Sequence, residues 1–142
     1  MDIDLLLMAF PNLGEEGFKI TSPCDARYNC VAWVAERTDH RWWPEPDAYW
    51  PQSAARLRTL EAFIQAFKFL GYEHCPDGEW ESGFEKVAIY RHREIPNHVA
   101  RQLADGTWTS KLGDQVDITH TLRGLEGDVY GQVACYLKRP RR

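Results

Sequence analysis

Cys30 stands where an amphipathic pattern begins, in the run Tyr28-Asn29-Cys30-Val31-Ala32-Trp33-Val34-Ala35. At a helix N-terminus the free N–H groups and the positive end of the macrodipole favour a thiolate. Far downstream, His98 opens the segment Asn97-His98-Val99-Ala100-Arg101-Gln102-Leu103, the first arm of a hairpin that turns at Ala104-Asp105-Gly106. An imidazole there can hold a proton near neutral pH. Together the two groups suit nucleophilic acyl transfer. The thiol attacks an acyl carbon, and the imidazole takes the thiol proton and returns it to the leaving amine. That chemistry needs no cofactor. Residue type alone also allows a plainer reading, with Cys30 a small buried hydrophobe and His98 a structural strand histidine.

A third polar group must orient the imidazole. Asp117 is the first choice, because a buried carboxylate both holds the ring and stabilises the imidazolium. His120, Ser110 and Asp114 are its rivals. In Val116-Asp117-Ile118-Thr119-His120, an extended chain puts Asp117 and Thr119 on one face and His120 on the other. Asp25 and Asn29 can contribute to an oxyanion site with the Cys30 amide. Asn29, Trp42, Trp43, Trp50 and Ser110 are the substrate-binding candidates, the tryptophans because an aromatic loop can wall a groove. The alternative for those tryptophans is that they cover the core.

The elements that must position these groups follow from period and punctuation. A short helix is expected at Ile3–Phe10 within a lead-in over residues 1–20, and another at Tyr28–Arg37. Three prolines, Pro44, Pro46 and Pro51, forbid regular helix in the aromatic loop. A longer helix, Ala54–Leu70, with Ser53 as its cap, carries Leu57, Leu60, Phe63, Ile64, Phe67 and Leu70 on one face and stops at Gly71. Strands are expected at Phe84–Arg91, His98–Leu103, Thr107–Leu112 and Val129–Leu137. Helices first and an antiparallel sheet after them make an α+β domain over residues 1–142, with residues 138–142 as a frayed basic tail.

Composition narrows the partners. The chain has 142 residues and a net charge of −4, which fits one domain and argues against a general nucleic-acid binder. No apolar run reaches membrane-spanning length, and Leu5–Phe10 is too short and lacks the basic flank of a signal peptide. The four cysteines, Cys24, Cys30, Cys75 and Cys135, lack metal-ligand spacing. A cytoplasmic protein with reduced thiols and no metal is therefore expected, with export by a route that uses no cleaved signal as the alternative.

The order cysteine at a helix start, histidine on a strand, polar group on the next strand resembles the papain-like superfamily of cysteine peptidases, cell-wall amidases and acyltransferases. The run His98–Gly106 is similar to the histidine hairpin of the bacterial cell-wall branch, where the polar partner follows about a dozen residues on, at the place of Ser110. The chain departs from the papain pattern at Cys24, which stands where the oxyanion glutamine is expected, and in the residues flanking Cys30. More of the chain resembles a bacterial family of small uncharacterised domains, through Tyr28–Trp33, Trp42–Pro44, Gly83–Tyr90 and Trp108–Gly113. The papain-like resemblance implies a cysteine hydrolase or acyltransferase that acts on a peptide or amide, with a protein as one form of that substrate. The alternative is a non-catalytic binding or regulatory module that uses the Trp-rich loop.

Overall fold

The computed structural model describes residues 2–142. The chain forms α1 (Ile3–Ala9), α2 (Asn12–Glu16), β1 (Phe18–Ser22), α3 (Cys30–Val34), α4 (Leu60–Phe69), β2 (Glu73–Cys75), β3 (Phe84–His92), β4 (Ile95–Gln102), β5 (Trp108–Lys111), β6 (Asp117–His120) and β7 (Gln132–Pro140). A single 3₁₀ turn, Arg123–Leu125, precedes β7. All seven strands join one sheet in the order β1-β6-β5-β4-β3-β7-β2, with every pairing antiparallel. The fold is α+β.

Pleating sorts the side chains of the central strands into two cores. Val87, Ile89, Val99 and Leu137 face α3, α4 and the aromatic loop, together with Trp42, Trp50, Phe63 and Phe67. Ala88, Tyr90, Ala100, Trp108 and Ile118 face the other way, onto Leu6, Phe10, Leu13 and Leu125. Helices thus cover both sides of the sheet. This is why β3 alternates only partly in sequence: neither of its faces meets water. Phe63 and Phe67 are fully buried, and burial of each is worth about 1.5–3 kcal/mol.

Three sequence expectations change. The lead-in is structural: Leu6, Phe10 and Leu13 plug one core, and β1 pairs with β6 at the sheet edge. The basic tail is not frayed through Pro140, because β7 runs that far. Arg139 is buried, donating to Glu85 Oε1 at 2.5 Å and to the Leu70 carbonyl at 2.7 Å, where it closes the end of α4. The long helix is shorter than its apolar pattern. Thr59, not Ser53, caps α4, its hydroxyl accepting from the Ala62 N–H at 3.1 Å. The segment before it is held out of helix by the Trp50 indole, which donates to the Ala55 carbonyl at 2.9 Å, and by Gln65, which accepts from the Ala55 N–H at 3.0 Å.

The hairpin between β4 and β5 turns at Asp105-Gly106, as its sequence predicts. Gly106 takes φ 91°, and the Asp105 carboxylate accepts from the Thr107 amide at 3.0 Å. Gly131 has a stricter duty. A Cβ there would lie 2.1 Å from the Arg91 carbonyl oxygen, so only glycine lets the chain close onto β3 directly after Tyr130.

Candidate active site

Cys30 is the first residue of α3 and is buried. Asn29 caps the helix, its Oδ1 accepting from the Ala32 N–H at 3.3 Å and the Trp42 N–H at 2.9 Å, while its Nδ2 donates to the Trp42 carbonyl at 2.7 Å. One asparagine therefore ends the preceding loop, starts the helix and staples the aromatic loop to it. Asn29 thus borders the cleft beside Cys30 as a scaffold, with its Oδ1 and one Nδ2 hydrogen engaged. Asp25 does not join the site either: its carboxylate is paired with Arg27 at 2.7 Å, and that hydrogen bond lowers its pKa to about 2.

The cleft measures about 180 Å³ and is lined by Asn29, Cys30, Arg41, Trp43, Asn97, Gly113 and Tyr130. Burial pushes the Cys30 thiol up to about 11, against hydrogen bonds from the amides of Val99, Val31 and Cys30 itself, which pull the other way. The resting thiol is therefore neutral, and the helix end alone does not make it a thiolate.

His98 is fully buried on β4. Its ring stacks flat on Tyr130, with centroids 4.0 Å apart and planes 5° apart, and tilts against Tyr90 at 5.3 Å. His98 Nε2 lies 2.9 Å from Ser110 Oγ, and Ser110 Oγ lies 2.7 Å from His120 Nε2. His120 Nδ1 sits 2.6 Å from the Thr121 carbonyl oxygen. Burial lowers both imidazoles, His120 to about 4 and His98 well below its ordinary value, so both rings are neutral at pH 7.

Neutrality and one carbonyl imply a tautomer for each ring in this chain. The Thr121 carbonyl can only accept, so His120 Nδ1 carries the hydrogen and His120 Nε2 is bare. Ser110 must then donate its hydroxyl hydrogen to His120. Its oxygen accepts from His98 Nε2–H. That leaves His98 Nδ1 as an unprotonated lone pair, and this atom is buried with no hydrogen-bond partner. An orphaned acceptor of this kind costs about 1–3 kcal/mol. The thiol of Cys30 rests against the N–H of Val99, the next residue on β4, without a hydrogen bond to His98.

The expected pairing of His98 with Asp117 is not made. Asp117 points to the α3 side of the sheet, where its carboxylate accepts from Tyr28 Oη at 2.9 Å and from the Thr21 hydroxyl. His98, Ser110 and His120 share the opposite pleat with Ala100, Trp108 and Ile118. Ser110 is fully buried between the two rings and has no access to substrate. Asp114 is exposed and bonds Gln115. Of the three tryptophans, only Trp43 lines the cleft. Trp42 and Trp50 are buried in the α3-side core and do not line this cleft. The groups that sequence reading missed are Tyr130, Asn97 and Arg41. Their one signal was Gly131, whose demand for close approach places Tyr130. Among the described residues, no three His, Cys, Asp or Glu side chains are grouped to hold a metal, and no helix is long and apolar enough to cross a membrane.

A helix-start cysteine on the α3 side of the sheet and a buried histidine chain on the other side, with Tyr130 lining the Cys30 cleft and stacking on His98, are the frame of the site. Residues 19–138 match a family described as a domain of unknown function, DUF7689, and the chain belongs to that family. The match takes in β1 through most of β7, and so every residue of the site. No curated protein and no solved structure matches the chain.

Proposed function

We propose that the domain is a papain-like cysteine hydrolase or acyltransferase acting on a peptide or amide. The observation that carries this reading is His98 Nδ1, a buried atom with no hydrogen-bond partner, on a ring that stacks on Tyr130, itself a wall of the Cys30 cleft; we infer that the contacts with Ser110 and His120 hold Nδ1 unprotonated. Cys30 Sγ attacks the acyl carbon as its proton passes to His98 Nδ1. The amine departs with that proton, leaving a thioester for water or a second nucleophile. The amides of Cys30 and Val99 are the nearest donors for the oxygen that gains charge. Because burial keeps both partners neutral at rest, the transfer accompanies attack, in contrast to a preformed ion pair. Trp43, Asn97, Arg41 and Tyr130 line the acyl pocket.

The test uses p-nitrophenyl acetate as acyl donor, with the adduct mapped by mass spectrometry. Acetylation falls on Cys30, is absent from Cys30→Ala and slows by about 10²–10⁴ in His98→Ala, the range for loss of a positioned base. A Cys30 thiol that titrates near its free value of about 8.5 and reacts equally fast without His98 overturns the reading. The second reading, a binding module with Cys30 as packing, is favoured by the missing Cys30–His98 hydrogen bond. A Cys30→Ala protein that keeps its full biological effect selects it.

A further inference from the structure

We propose that His120, acting through Ser110, is a positioning residue that ends the reaction's first step holding the proton released by Cys30. The inference rests on the cysteine reading above and adds where the charge goes.

His98 is a poor place for a lasting positive charge. It is fully buried, packed between Tyr90 and Tyr130, and its only polar contact is a neutral hydroxyl. His120 is better placed. Its Nδ1–H is already bonded to the Thr121 carbonyl, and its ring borders a surface cleft shared with Glu16, Phe18, Thr107, Thr119 and Thr121. The Glu16 carboxylate is tied into that cleft by the Thr121 hydroxyl at 2.8 Å.

The protons balance along the chain. The S–H bond of Cys30 breaks and an N–H bond forms at His98 Nδ1. The Nε2–H of His98 passes to Ser110 Oγ, and the former Ser110 hydroxyl hydrogen passes to His120 Nε2. The products are a tetrahedral adduct in which the Cys30 sulfur is bonded to the acyl carbon and the former carbonyl oxygen carries the negative charge, a neutral His98 in its other tautomer, an intact Ser110 hydroxyl and a His120 imidazolium. Each hydrogen moves along a contact of 2.7–2.9 Å except the first. Reversal of the sequence delivers the proton to the leaving amine. A serine serves here because its hydroxyl accepts from one ring while donating to the other, which a carboxylate cannot do.

Acetylation of wild-type Cys30 by p-nitrophenyl acetate in mixtures of H2O and D2O gives the decisive measurement. More than one proton in flight bows the plot of rate against deuterium fraction, whereas a single transfer to His98 keeps it straight. His120→Gln slows acetylation at least about tenfold at unchanged folding, and Ser110→Thr, which keeps the hydroxyl, retains most of the wild-type rate. Nitrogen-15 NMR of the resting protein, which needs no activity, reads His98 as protonated on Nε2 alone. A straight plot, together with a His120→Gln rate equal to wild type and a persistent His98 requirement, overturns the relay and leaves the cysteine reading standing. Absence of any Cys30 adduct overturns both.

Discussion

Two polar networks cross β5 and β6 on opposite faces of the sheet, built from neighbouring residues. On the α3 side, Asp117 accepts from Tyr28 and Thr21, and Lys111 donates to the Gly113 carbonyl at 2.8 Å with its ammonium 4.8 Å from the Tyr28 ring centroid. Donors and acceptors match there, and a buried cation sits one strand from a buried carboxylate. On the α1 side, His98, Ser110 and His120 contain no charge and end in an acceptor with nothing to accept. A closed network stabilises. An open one, held open by a carbonyl at its far end, is the arrangement in which a proton has somewhere to go. On the proposed reading, the first is architecture and the second serves the chemistry, although the first contains the better-looking carboxylate.

The comparison breaks most readily at His98. His98→Gln should cut Cys30 acetylation by about 10²–10⁴, whereas Asp117→Asn should leave the rate of the folded protein within a few-fold of wild type; a rate collapse in Asp117→Asn alone would return the carboxylate to the site. Stability should invert that order. Asp117→Ala strands the buried Tyr28 hydroxyl and the Thr21 hydroxyl, a loss of about 2–4 kcal/mol in urea unfolding. Asn29→Ala comes next, at about 2 kcal/mol, because it removes a helix cap and two bonds to the Trp42 backbone.

The histidine network also makes a pH signature. Both imidazoles have folded pKa values below the unfolded value of about 6.5. The unfolded chain therefore binds more protons below that pH. The stabilisation is fully present above about 6.5 and is lost as pH falls toward the folded value, about 4 for His120. Each histidine contributes a slope of up to about 1.4 kcal/mol per pH unit. Urea midpoints measured from pH 7.5 to 5 should show this fall, and His120→Gln should make it shallower by roughly half. A flat profile in the parent protein would mean that the rings are not buried neutral. The smallest effect belongs to exposed Cys24: Cys24→Ser should shift stability by less than about 0.5 kcal/mol and leave the acetylated position unchanged.

Local signals were legible wherever a residue's own conformational demand decided the outcome. The Asp105-Gly106 turn, the opposite facing of Asp117 and His120, and the helix beginning at Cys30 all follow from spacing and backbone preference. The extent of α4 did not, because the Trp50 indole and the Gln65 amide, side chains brought onto Ala55 by packing, hold it out of the helix. Residues 1–20 looked like a lead-in, because an amphipathic segment of two short helices and an edge strand has too little pattern of its own. They become structure by covering the face that carries His98. Residues 138–142 looked frayed because their charge suggests solvent, while Glu85 and the end of α4 supply partners that no local reading contains.

The sequence by itself determined that a cysteine starts a helix, that a histidine opens a hairpin arm and that Ser110 stands on the return arm, since these depend on turn chemistry and two periodicities. Only the tertiary structure decided that Asp117 belongs to the other face, that Tyr130 lies flat on His98, and that His120 reaches Ser110 from the next strand. Those depend on strand order and register, which bring residues together across the sheet without leaving a mark in the spacing along the chain. The protonation of His98 depends on one more remote fact, the carbonyl oxygen that faces His120.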